Sequence, residues 1–158
     1  VLRSRDYINS LIKAEIEKGI SPARIVLGGF SQGGAISLFT GITNAQKLAG
    51  VFGLSCYLLL SDKLKQHSPE GELPNQHTPI FIAHGTDDDV VKFEYGQKSV
   101  KRLKDLDFDV EFHSYPYVAS SLAAHYLLLI SFSYSSLGHS ADPMEIQDLE
   151  KFISKALP

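Results

Sequence analysis

Ile8, Leu11, Ile12 and Ile16 recur at steps of three and four residues, the spacing that gathers side chains on one face of an α-helix. Gly19 and then Pro22 stop that helix, and its stripe is read as core. The pattern then changes. Ala23-Arg24-Ile25-Val26-Leu27-Gly28 is short and β-branched, as a buried strand is, and Gly34-Ala35-Ile36-Ser37-Leu38-Phe39 begins a helix with apolar spacing. Pro79-Ile80-Phe81-Ile82-Ala83-His84-Gly85 repeats the buried-strand pattern, and Asp109 to Tyr115 is a further strand-like stretch. Phe93 to Leu106 and Met144 to Leu157 have helical periodicity, the second opened by Asp142-Pro143. Leu64 to Thr78, with Pro69, Gly71 and Pro74, reads as a polar surface loop. Strands alternate with helices and no repeat or linker interrupts them. This predicts an α/β fold in one domain over residues 1–158, with a mostly parallel sheet and helices on both faces.

The chemistry starts at Gly29-Phe30-Ser31-Gln32-Gly33, between the first strand and the small-residue helix. The pentapeptide alone is common, but a strand before it and a helix after it place a sharp turn at Ser31. Such a nucleophile elbow projects the hydroxyl from the strand's end, with Gly29 and Gly33 letting strand and helix approach closely. The backbone N–H of Gln32, at the helix N-terminus, would face a developing oxyanion.

A serine nucleophile needs a base to take its proton and an acid to orient that base. In this arrangement they follow in the chain order serine, acid, histidine. Thr86-Asp87-Asp88-Asp89-Val90-Val91 delivers carboxylates at the C-terminal end of the second buried strand, where open α/β sheets bind ligands. Spacing does not separate Asp87, Asp88 and Asp89, since turns favour Asp without catalysis. For the base, His139 in Leu137-Gly138-His139-Ser140 lies in a loop able to reach Ser31, and it is preferred to His125, which sits in an apolar stretch without a nearby glycine or acid. His67 and His77 read as solvated surface residues, His113 as structural, and His84 as a packing or hydrogen-bonding group.

A formal charge of −3 provides no basic field for nucleic acid or anionic lipid. One cysteine, Cys56, excludes an internal disulfide and fits a reducing compartment; it reads as a small buried hydrophobe, and no cysteine cluster suggests a metal. No targeting run is visible from Val1 onward, so the expected location is the cytoplasm, with the nucleus and the membrane periphery as alternatives.

Several motifs together resemble the acyl-protein thioesterase and lysophospholipase-carboxylesterase family: Ser21 to Ala35, Gln46 to Val51 with Leu54-Ser55-Cys56-Tyr57-Leu58, His84-Gly85 with Asp88 and Val91, and Gly138-His139-Ser140. The resemblance runs from about residue 5 to the C-terminus apart from one segment. It implies an α/β-hydrolase fold with Ser31 as nucleophile, Asp88 as the acid of a His-Gly-x-x-Asp-x-x-Val pattern, and His139 as base. It implies further that Gln32 supplies an oxyanion N–H and that Leu58 borders the acyl chain. No metal or organic cofactor is implied. The expected substrates are S-acylated proteins, lysophospholipids and carboxylic esters.

The chain departs from the family pattern in two places. The family's first strands and its His-Gly-Leu-Gly type loop, which supplies a second oxyanion donor, are expected before the first helix here. The fold is therefore expected to be a partial domain with N-terminal strands missing, and its uncovered sheet edge to favour self-association. An impaired, non-catalytic remnant acting as a binding module is the alternative function. Residues 117–136 form an uncharged insert ahead of the base. Its length would span a bilayer, but its serines, His125 and lack of basic flanks argue against an integral membrane span. A loop extension, a translated non-coding insert or an apolar lid are the readings of that segment.

Overall fold

The computed structural model of the chain describes residues 1–116, 139 and 141–158. The expected insert at 117–136, and His125 within it, lie outside them.

Helix α1 (Leu2–Glu17) leads through a single 3-10 turn at Pro22–Arg24 into β1 (Val26–Phe30) and directly into α2 (Ser31–Thr43). Strand β2 (Gly50–Leu54) follows, then a long connection to β3 (Ile80–Gly85), α3 (Phe93–Lys104), β4 (Val110–Tyr115) and α4 (Pro143–Ala156). The four strands are parallel and stand in the order β1-β2-β3-β4.

Side chains alternate strictly across this sheet, as the two-residue period of a strand requires. Val51, Ile80, Ile82 and Val110 face one core with Ile12 of α1, Leu38, Phe39 and Ile42 of α2, and Val100 and Leu103 of α3. Leu54, Phe81 and Ala83 face a second, smaller core closed by Leu149 and Phe152 of α4. The helices α2 and α3 lie on the same face because each connects neighbouring strands of a sheet that grows in one direction. Phe81 and Phe152 meet with ring centroids 5.4 Å apart. Burying an aromatic ring of this kind contributes roughly 2–3 kcal/mol. Helices therefore cover both faces, and the sheet is an α/β sheet of the expected kind.

Three local expectations change. The first strand begins at Val26 rather than Ala23, because Pro22, with φ fixed and no N–H, opens a helical turn that runs through Arg24. It is half-buried rather than buried, since among the described strands it pairs only with β2. The stretch 64–78 is more than a polar surface loop. Leu64 is buried in the main core, and Asn75, also buried, ties the connection down. The Asn75 side chain accepts from Leu48 N–H at 2.9 Å and donates to the Asn44 and Gln46 carbonyls at 3.0 and 2.9 Å.

Candidate active site

Ser31 is the first residue of α2 and directly follows the last residue of β1. Its φ is +54°, a left-handed conformation that costs a side-chain-bearing residue about 1–2 kcal/mol and turns the chain in a single step. The crossing of strand and helix leaves no room at two glycines. A Cβ on Gly29 would stand 2.7 Å from the Gly33 carbonyl carbon, and one on Gly34 would stand 2.6 Å from the Gly29 oxygen and 3.0 Å from the Cys56 side chain. At Gly33 nothing lies within 4 Å. The close approach thus falls on Gly29 and Gly34, not on Gly33, because the second contact surface is the buried Cys56 beneath the helix.

Asp88 follows β3 and is buried, whereas Asp87 and Asp89 are exposed. Its Oδ1 accepts the N–H groups of Val90 and Val91 at 3.0 and 2.8 Å. Its Oδ2 lies 2.9 Å from His139 Nδ1, and His139 Nε2 lies 2.8 Å from Ser31 Oγ. Residues 31, 88 and 139 therefore form one hydrogen-bonded line at the C-terminal ends of the strands. Burial pushes the Asp88 carboxyl up, but the hydrogen bonds from His139, Val91 and Val90 and the charge of His139 outweigh it, so the group sits below the usual carboxylate range. An ionised carboxylate only accepts. The Nδ1 of His139 must then carry the proton, leaving Nε2 with a lone pair toward the Ser31 hydroxyl. The Phe30 ring lies against the imidazole, centroids 4.7 Å apart.

His84 backs this loop. It is fully buried, and its Nε2 donates to the Val91 carbonyl at 2.7 Å. Gly96 of α3 leaves space for its ring, since a Cβ there would stand 2.5 Å from His84 Nδ1. His67 is not simply solvated: it is half-buried, edge-on to Phe39 with centroids 5.7 Å apart. His77 is exposed, and His113 of β4 bonds Glu111 at 2.6 Å on the surface.

Gln32 lies in the first turn of α2, where backbone N–H groups have no acceptor within the helix. It lines a cleft of about 380 Å³ together with Gly33, Ile36, Tyr57 and Leu59. Tyr57 also borders a second hollow of about 250 Å³ with Val90, Val91 and Tyr95. Leu58 itself packs into the main core and donates its N–H to Ser99 Oγ at 2.8 Å; its neighbours Tyr57 and Leu59 face the clefts. Cys56 is fully buried, and burial, with the nearby charge of Glu145, pushes its thiol up to about 12. Among the described residues no cluster of three or more His, Cys, Asp or Glu could hold a metal ion. No described helix is long and apolar enough to cross a membrane.

The helical periodicity from Met144 to Leu157 places Glu145 in a helix and marks it no further. It is almost completely buried and grips the start of α4. The spacing of Asp142 and Glu145 is a capping-box signal, yet nothing in the sequence indicates that this carboxyl is buried beside the site.

A strained serine between a parallel strand and a helix, with an acid after a later strand and a histidine before the final helix, defines the α/β-hydrolase fold. The sequence profile of the phospholipase/carboxylesterase family matches residues 1–132, and the chain belongs to that family. It is 54% identical to acyl-protein thioesterase 1 of Emericella nidulans over 159 residues, covering all of this chain and 58% of that protein. Against acyl-protein thioesterase 1 of Aspergillus fumigatus the identity is 55% over 159 residues, with the same 100% and 58% coverage. The crystal structure of Arabidopsis thaliana SOBER1 superposes with a TM-score of 0.78 at 30% identity, over 99% of this chain and 64% of that one. The chain spans a little over half the length of the curated relatives it matches.

Proposed function

We propose that the chain carries the nucleophile, base and acid of a serine acyl hydrolase. The substrates are fatty-acyl thioesters of S-acylated proteins, and lysophospholipid and carboxylic esters, cleaved through an acyl-Ser31 intermediate. The observation that carries this reading is the line from Ser31 Oγ through His139 to Asp88, 2.8 and 2.9 Å long, starting at a strained elbow. The names of the relatives, acyl-protein thioesterase 1, support the thioester substrate class.

In the forward step His139 Nε2 takes the Ser31 proton as Oγ attacks the acyl carbonyl carbon. Asp88 holds the imidazolium that forms and never takes the proton itself. The oxyanion lies toward the Gln32 N–H, a contribution on the order of a hundredfold or more in rate. Collapse of the intermediate breaks the carbon–sulfur or carbon–oxygen bond, and His139 returns the proton to the departing thiolate or alkoxide. Water then repeats the sequence: it gives a proton to His139, attacks the acyl-serine ester and releases the fatty acid, and the imidazolium reprotonates Ser31. The clefts beside Gln32 and Tyr57 suit an acyl chain, each methylene buried there contributing about 0.8 kcal/mol.

A fluorophosphonate probe tests the reading. Covalent labelling of the folded chain that disappears in Ser31→Ala is expected. Absence of labelling in folded protein would overturn it and leave the remnant, a binding module at most. Turnover that fails to rise with acyl length would instead point to small soluble esters.

A further inference from the structure

Glu145 lies three residues into α4 and only 2% of it is exposed. One carboxyl oxygen, Oε2, accepts the Asp142 N–H at 3.2 Å, while the Asp142 side chain accepts the Met144 N–H at 2.7 Å. Asp142 is three residues beyond His139, so this reciprocal clamp closes the short segment that carries the imidazole. The other oxygen, Oε1, is buried with no hydrogen-bond partner among the described residues. The charge of this carboxyl bears on the Cys56 thiol after β2 and on the Tyr115 hydroxyl of β4, and the charges of Asp142 and of Asp88 after β3 bear on it. Beyond Asp88 are His139, bonded to it, and His84, 3.6 Å from it. Cys56 is also the side chain against which Gly34 of the elbow packs.

We propose that Glu145 is a positioning residue for the base: buried and clamped on the end of the His139 segment, its carboxyl fixes where the imidazole stands relative to Ser31 and Asp88. This rests on the function proposed above. Burial is the main reason the carboxyl stays protonated, pushing it up to about 7 against the Asp142 N–H bond, with the charges of Asp142 and Asp88 adding to burial. A neutral acid has one O–H and keeps an acceptor for Asp142. Ionisation strengthens the Asp142 N–H bond but places a second buried negative charge near Asp88 and leaves Oε1 charged with no partner among the described residues. Repulsion between the two carboxylates then displaces the clamped segment and the imidazole with it.

The experiment follows the rate of Ser31 labelling by a fluorophosphonate from pH 5.5 to 9 in the unaltered chain, Glu145→Gln and Glu145→Ala, with circular dichroism to establish folding. Gln mimics the neutral acid and supports the proposal if it rescues the rate lost in Ala and removes a fall in rate that the unaltered chain shows above about pH 7. Folded Glu145→Ala is expected to label slower by tenfold to a hundredfold, the cost of a misplaced catalytic group, with unchanged probe affinity. Superimposable pH profiles for the unaltered chain and Glu145→Gln would overturn it, as would a folded Ala variant at full rate. If the Ala variant does not fold, the Gln profile decides. A readout that needs no chemistry separates this from failure of the function itself. In a Ser31→Ala background the His139 ring nitrogen resonances of the chain with Glu145 should coincide with those of its Glu145→Gln counterpart at low pH and depart from them as pH passes 7; coincidence at every pH overturns the coupling.

Discussion

Asp88→Asn changes one oxygen for a nitrogen of nearly the same size, and the consequences can be worked out from three hydrogen bonds. Oδ1 accepts from the Val90 and Val91 N–H groups, and two donors facing it at 3.0 and 2.8 Å force the amide oxygen of an asparagine to take that place. The amide NH₂ then occupies the Oδ2 position, 2.9 Å from His139 Nδ1. Because NH₂ only donates there, Nδ1 must give up its proton and Nε2 must carry it. Nε2–H then donates to Ser31 Oγ across the 2.8 Å between them, and the imidazole offers no lone pair to take the hydroxyl proton. The loss of a triad's tautomer in this way lowers the rate by about 10⁴, or about 5 kcal/mol of barrier. Stability should fall far less, by about 1–3 kcal/mol, since the charge-assisted bonds become neutral ones but none is left open. The assay pairs the second-order rate of fluorophosphonate labelling at pH 7.5 with urea unfolding of the same preparations. A folded Asp88→Asn that labels within tenfold of the unaltered chain would refute the assignment of proton positions.

The two glycines after Ser31 should behave oppositely: Gly34→Ala is expected to cost about 2 kcal/mol or more, because its Cβ meets backbone and Cys56, while Gly33→Ala should change stability by less than about 1 kcal/mol. Equal urea midpoints for the pair would contradict the packing at the elbow. The Glu145 carboxyl, near 4.5 when unfolded and about 7 when folded, gives stability that is complete below pH 4.5 and is lost as pH rises through 7, about 3 kcal/mol in all. Glu145→Gln should therefore gain on the unaltered chain between pH 5 and pH 8, and parallel stability profiles would oppose the burial of that acid. Cys56 should resist a water-soluble thiol reagent until urea unfolds the chain, and fast native-state reaction would place it at the surface.

What the sequence made legible was local. Strand, turn and helix around Ser31 are contiguous, so the apolar run, the glycines and the small-residue helix announce the elbow together. The choice among Asp87, Asp88 and Asp89 was not local. What separates them is that one carboxyl turns inward onto two backbone N–H groups and a histidine 51 residues away. Strand β2 went unread because Gly50-Val51-Phe52-Gly53-Leu54 is largely buried and holds two glycines, so it shows neither polar alternation nor a long apolar run. The requirement at Gly34 was hidden for the same reason as the role of Glu145. In each case the deciding neighbour, Cys56 or Asp88, is distant in sequence and touches the site only after the sheet has formed.

That dependence sets how the site can fail. Ser31 is carried by α2, which packs on one face of the sheet, and His139 leads into α4, which packs on the other. The 2.8 Å contact between them is therefore closed across the sheet, and both cores must hold their depth for it to form. Phe81 stands at the weaker of the two, under Phe152 and four residues before the end of β3, whose next loop supplies Asp88. Truncating a buried ring there costs about 3–5 kcal/mol and lets α4 settle toward the strand. A displacement of about 1 Å in the imidazole is enough to lose a hundredfold in rate. The small core beneath α4 therefore governs the distance between base and nucleophile, although none of its apolar side chains belongs to the hydrogen-bonded line.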